Sequence, residues 1–505
     1  MQFYRTSAFC FSLREVLTIG GLSLTLLAYS AQTPETPPDE TARETNTDVL
    51  SLRLAETIAA ADYKTLSDDI IERVTLSLAD NAATLAHTSC KTSHHPFLDR
   101  LVAKGGTAEA ILPGGSAELP MDEAAAYIAY LIHAAETDDT DHRASLRASP
   151  VVIAPALALG DAVEASGEEL ITAIAIGYSV LGALGEPTGP IQTEGLMSAS
   201  VYGTIASAAV AAYLLDLTPE QTQNAIALAA TASNGLFQYY FDQTEEKRII
   251  IARSARIGVE AALLAQAGEE AAPAILEGRS GLYPVLTRHD LTRAEADRIV
   301  SKVAALDGPL HIEPKFYTTS DSIIPYLKGL DALADKPSAH QISHFELTAD
   351  KRYGAVLEDK IVNYHAPSTA LGAKLNFNFV IALYLVEGSV EPQHYNASGL
   401  ADEDVLNLAS KGVFQAQGGE GFPNLTLFLK NGESLDVTPI FPERSEQVPA
   451  FREERMKKIE QLTAGLWSEE ERLEALRDIE ALPEESLATD WIKRYQARFC
   501  GPGRQ

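Results

Sequence analysis

The segment from Ser198 to Leu217 (SASVYGTIASAAVAAYLLDL) is built almost entirely from Ala, Ser, Gly and a few large apolar residues. Side chains this small allow helix axes to approach closely, because the distance between packed helices is set by the side chains at the contact. Helix starts frame the segment on both sides. Ser166-Gly167-Glu168-Glu169 is a capping box, in which the Ser hydroxyl accepts from the backbone at Glu169 and the Glu carboxylate reaches back. Thr218-Pro219-Glu220-Gln221 is a second start, with Pro at the first helical position. An amphipathic stripe opens earlier, at Leu52, Leu54, Ala55 and Ile58. From Val49 to about Pro309 the chain therefore predicts a buried helical bundle.

The pattern changes after Gly308. Gln341 to Leu347 (QISHFEL) reads as a strand. Leu425 to Leu429, then Asn431-Gly432, then Glu433 to Val437, reads as a β-hairpin, since Asn-Gly supplies the positive φ angles a two-residue turn requires. Beyond Pro449 long charged helices return. The fold class is mostly α: a large all-α helical domain with an inserted smaller α+β lid domain. The expected layout is a signal peptide (1–31), a disordered linker (32–48), the all-α domain (49–308), the α+β domain (309–446) and the C-terminal return to the all-α domain (447–505).

Composition limits the partners. With a formal net charge of -30 over 505 residues, the surface repels phosphate backbones, so nucleic acid is not an expected partner. Cys10, Cys90 and Cys500 form no CxxC pair, and His340 and His344 lack the Glu of a zinc-protease motif, so no metal site is expected. His94-His95 reads as an exposed loop, and Cys90 and Cys500 as two unpaired thiols or, in an oxidising compartment, a single bridge. Arg5 and Arg14 precede an apolar run, Val16 to Ala28, which is short for a membrane span, and small residues follow at Ala28, Ser30 and Ala31. This predicts export, with cleavage near Ala31, a periplasmic location and no stable membrane association afterwards; the alternative is a retained membrane anchor or a plain apolar extension. The Pro- and acid-rich stretch from Gln32 to Asp48 reads as a flexible tether.

Four segments after the tether resemble the MmgE/PrpD family, which includes 2-methylcitrate dehydratase and cis-aconitate decarboxylase. The first is a His-x-x-acid-x-Asp-Asp-Thr run, His133, Glu136, Asp138, Asp139 and Thr140, leading to VVIAPALAL at Val151 to Leu159. The second runs from Ser200 to Leu236. The third is EKRIIIARSARIGVEAALLAQAG from Glu246, followed by Leu276 to Tyr283. The fourth is Ala373-Lys374 before LNFNFVIALYLVEG. The resemblance implies a helical domain and a smaller lid domain with the active site between them. It further implies a homodimer acting on small di- or tricarboxylates without a metal or organic cofactor.

Anionic substrates call for cationic clamps. The resemblance carries a substrate-binding role to Lys247, and Arg253 shares the same basic cluster; Lys315 and Lys374 complete the expected carboxylate-binding set. Asp138, Asp139, Thr140 and His142 are the expected catalytic set, with adjacent acids able to hold one proton between them. The chain also departs from the family pattern. The stretch Arg143 to Pro150 (RASLRASP) lacks the histidine that related enzymes place just before a proline, and His142 stands nearby instead. Met197 falls where a second family histidine stands, Lys315 is displaced by two residues within its motif, and Phe379 falls where the decarboxylases have a tyrosine. Three readings follow: a hydro-lyase dehydrating a 2-methylcitrate-like hydroxy acid, a non-catalytic carboxylate-binding protein, and a decarboxylase or isomerase using the same site.

Overall fold

The computed structural model describes residues 48–488 except 92–95, 114–116, 243, 351–365, 418–423 and 443–446. The export segment, nearly all of the tether, His94-His95, Cys500 and the side chain of Cys90 lie outside the described residues.

The small-residue segment forms the helix Ser198–Leu214, buried along almost its whole length. It packs against the helices Ser149–Ala162, Gly167–Gly185, Pro219–Ala232 and Glu246–Gln266. The approach is close enough that a Cβ on Gly258 would lie 2.5 Å from the Thr204 carbonyl oxygen, so only glycine fits that crossing. Both expected capping boxes form, at Ser166 and Thr218. Gly167–Gly185 is long and apolar enough to cross a membrane, but it is 89% buried in the interior of this bundle.

Two hydrophobic cores divide the chain. One gathers the helices before residue 312 and the returning helices Arg452–Thr463 and Glu469–Glu480. The other lies under a four-stranded sheet ordered Gly412–Gln417, Ile342–Asp350, Asn424–Leu429, Ser434–Val437, in which only the first pair is parallel. The Asn431-Gly432 hairpin is present, with Leu425 opposite Val437 and Gly432 at φ 91°. The short helix Ala370–Leu375 belongs to both cores: Leu371 and Leu375 pack into the first and Ala373 into the second. That bridging helix fixes Lys374 at the junction.

A second device at the junction is a three-stranded ribbon of two-residue strands. Thr140–Asp141 is central, with Leu146–Arg147 on one side and Ile312–Glu313 on the other. Thr140 sits opposite both Arg147 and Glu313, so this ribbon brings distant sequence to one point.

Candidate active site

The helix Met121–Ala134 ends in the His-x-x-acid run. Its last carbonyls have no intrahelical partner and carry the negative end of the helix dipole. Lys374 fills that role: its Nζ donates to the carbonyl oxygens of Ala134 at 3.3 Å and Ala135 at 3.1 Å, and stands 5.4 Å over the Tyr395 ring. Directly after the helix, Glu136 takes a left-handed conformation, φ 57°, rare for a residue with a side chain. This turns its carboxylate inward rather than along the exit of the helix.

Two further lysines meet that carboxylate. Lys247, from the first turn of Glu246–Gln266, donates to Oε1, and Lys315, just after the ribbon, stands 3.4 Å from Oε2. All are buried. Burial works to raise the Glu136 carboxyl, but Lys247 and Lys315 outweigh it and hold the group well below the usual carboxylate range. Burial lowers Lys247, and Arg147 adds to the effect. Burial, then the neighbouring Arg147 charge, brings the Lys315 ammonium down to about 7; burial, then Arg248, does the same to Lys374.

Arg147 completes the cation cluster from the ribbon. Its guanidinium donates to the Thr140 hydroxyl at 2.6 Å and pairs with Asp321, which also accepts from Thr140 at 3.0 Å and lies 3.9 Å from Lys315. Thr140, Lys315 and Asp321 line a narrow cleft of about 20 Å³ together with His142, Glu313 and Lys328.

The residues expected from sequence are not all in one place. Lys247, Lys315, Lys374 and Thr140 converge. Asp138 stands at the edge of the cluster, accepting from Nδ1 of His133 at 2.9 Å. Burial favours its protonated form, yet His133 and then Lys315 pull it down to about 2. Asp138 and Asp139 do not form the expected acid pair, because their carboxylates face different networks. Asp139 accepts from the Ser77 hydroxyl at 2.5 Å and faces Arg455 at 3.8 Å, away from the lysines. His142 lies in the cleft wall with Nε2 2.9 Å from Glu313, which also pairs with Lys328. Arg253 is outside the site altogether: its position on the Glu246–Gln266 helix faces solvent. The helical period that turns Lys247 inward turns Arg253 outward.

Several site residues went unrecognised in the sequence. Glu136 and His133 were visible in the motif but not as the centre of the cluster. Arg147 and Asp321 carried no signal, since two-residue strands and the loop that aligns them have no periodicity to read. Tyr395 supplies a phenol beside Lys374, while Phe379 is buried in the second core with its ring 6.4 Å from that of Tyr395. Among the described residues the Tyr395 hydroxyl has no hydrogen-bond partner. Met197 caps the small-residue helix through its backbone and is buried in the first core. Among the described residues no three His, Cys, Asp or Glu side chains gather as a metal ion would need. The lysines and Arg147 thus gather four cationic side chains around the Glu136 and Asp321 carboxylates.

Comparison with known proteins gives a consistent picture. Residues 52–294 match the MmgE/PrpD N-terminal domain and residues 356–481 match the MmgE/PrpD C-terminal domain. A cis-aconitate decarboxylase-like protein of Aspergillus oryzae is 24% identical over 298 residues, which is 55% of this chain and 61% of that protein. The cis-aconitate decarboxylase of Mus musculus is 24% identical over 394 residues, covering 75% of this chain and 78% of its own. That of Homo sapiens is 27% identical over 222 residues, 43% of this chain and 46% of its own. The match to the first of these thus spans less than two thirds of its length.

Proposed function

The chain belongs to the MmgE/PrpD family, and from that membership we propose that it is a lyase acting on a small di- or tricarboxylate. The observation that carries the proposal is the convergence of Lys247 and Lys315 on the buried Glu136 carboxylate, with Lys374 and Arg147 beside them. Cations buried at this density are costly unless an anion offsets them. A substrate carboxylate would compete with Glu136 and Asp321 for these cations.

Decarboxylation of an unsaturated tricarboxylate is the first reaction to test, because the similar proteins carry the name cis-aconitate decarboxylase. Dehydration of a 2-methylcitrate-like hydroxy acid uses the same clamps and is the second. The homodimer and the exported, periplasmic location remain part of this proposal; light scattering and the N-terminal residue of protein recovered from cells test them.

The decisive experiment follows a panel of aconitate-like and citrate-like acids by NMR, with wild-type protein and Lys247→Met. Turnover of one acid that collapses in the variant supports the lyase. Saturable binding without turnover supports a carboxylate-binding protein on this fold. A wild type that neither binds nor converts any acid overturns the reading.

A further inference from the structure

We propose, resting on the carboxylate-lyase reading above, that Lys315 is the general acid of this site, donating from Nζ the proton that the carbon needs when a carboxylate leaves. Geometry separates it from its neighbours. The Lys247 ammonium is engaged by Glu136, and the Lys374 ammonium by two carbonyls and the Tyr395 ring. Lys315 is the least tightly held, at 3.4 Å from Glu136 and 3.9 Å from Asp321. It is also the lysine of the three that lines the cleft beside Thr140, His142 and Glu313.

The other groups around Glu136 do not qualify, and the His142 ring in the cleft wall is engaged by Glu313 at 2.9 Å. The Arg147 guanidinium is held by the Thr140 hydroxyl and Asp321. Glu136 and Asp138 are ionised and have no proton to give. Burial lowers the His133 imidazole, and with Nδ1 donating to Asp138 its Nε2 carries a lone pair. The Tyr395 phenol is pushed well above its ordinary range by burial and Glu136, so it is a poor acid. Lys315, lowered to about 7, is matched to proton transfer near neutrality.

The step balances. The bond from carbon to the departing carboxylate breaks and carbon dioxide leaves. The electron pair left on carbon takes the proton from Nζ as a new C–H bond, and the neutral amine is reprotonated from solvent once the product leaves. The charges facing Lys315 are Arg147 from the ribbon, Glu136 and Asp138 from the loop after Met121–Ala134, Lys247 from its helix, and Asp321. Because the acid form is the active one, kcat falls as pH rises through the lysine's titration.

The test compares wild type, Lys315→Arg and Lys315→Met, each checked for folding by circular dichroism. Turnover, binding and exchange of substrate C–H positions in D2O are measured. Lys315→Arg keeps the charge but cannot release a proton, so kcat falls about 10²- to 10⁴-fold while KM changes little, and the near-neutral inflection in kcat is lost. Retention of kcat within about threefold in Lys315→Arg would overturn the general-acid role while leaving the lyase standing. A wild type that binds an acid but neither converts it nor exchanges its protons also overturns the role, leaving a binding protein. Failure to bind at all removes the reading on which the role rests.

Discussion

His133 Nδ1 lies 2.9 Å from Asp138 Oδ2, and both side chains are completely buried. The geometry puts the imidazole hydrogen on Nδ1 and leaves Nε2 directed towards Glu136, 4.0 Å away. The pair therefore sets the orientation of the loop that presents Glu136 to the lysines.

Removing the histidine should expose how much this orientation is worth. His133→Ala leaves the ionised Asp138 carboxylate buried without its donor. An unfolding free energy about 3 kcal/mol lower is expected in urea titrations. A loss under about 1 kcal/mol would show that another donor, such as Lys315, takes over. Asp138 also sets an acid limit. Its folded carboxyl is depressed to about 2, so the stabilisation is present above its unfolded value and is lost as pH falls through the folded one.

Lys374 gives a stability signature of the same sense in an alkaline window. Its folded pKa of about 7 lies below the ordinary 10.5 of the unfolded chain. Between those values the unfolded state binds more protons, so this residue makes stability rise with pH, by about 1.4 kcal/mol per pH unit. The difference in unfolding free energy between wild type and Lys374→Met should therefore grow in favour of wild type from pH 7 to 9. Parallel curves over that range would mean that Lys374 keeps its proton when folded.

How much of this could be read from the residues depends on the range of the interaction. Ser166, Thr218 and Asn431-Gly432 act on neighbours within a few positions, and each forms the cap or turn its chemistry dictates. The density of Ala and Gly in Ser198–Leu214 likewise announces its burial. Lys247, Lys315 and Lys374 were legible only through family resemblance; cationic side chains carry no signal that distinguishes a buried clamp from a solvated face. Arg253 shows the limit, since it shares a helix and a basic cluster with Lys247 yet faces solvent. Arg147 and Asp321 depend on a ribbon joining residues 140, 147 and 313, a long-range pairing that no local pattern encodes.

That contrast within one helix is itself testable. Lys247→Met removes a buried partner of Glu136, whereas Arg253→Ala removes an exposed charge. Truncating a buried charge pair costs about 2 kcal/mol or more, so affinity for the carboxylate substrate should fall about 30-fold or more in the first variant. Arg253→Ala should stay within about twofold, as exposed charges contribute little. Calorimetric titration with the best acid of the panel measures both; equal losses would place Arg253 in the substrate's path.

The last relationship ties the C-terminal helices to the site from behind. On Arg452–Thr463, Arg455 and Lys458 are both buried, and both reach Asp80 on the helix Asp68–Lys91, at 3.4 Å and 2.7 Å. Lys458 also donates to the Thr137 carbonyl at 2.6 Å, and Arg455 stands 3.8 Å from Asp139. The loop that carries Glu136 is thus braced by cations whose main counter-charge is Asp80. Asp80→Ala strands those cations in the interior, and a stability loss of about 3–5 kcal/mol is expected. Replacing the partners together, as Asp80→Leu with Lys458→Met, leaves fewer uncompensated charges and should recover a large part of that loss. A double-mutant cycle by denaturant unfolding measures the coupling. Additive losses would show that the network does not act as a unit, and that the loop holds its shape through His133 and the lysines alone.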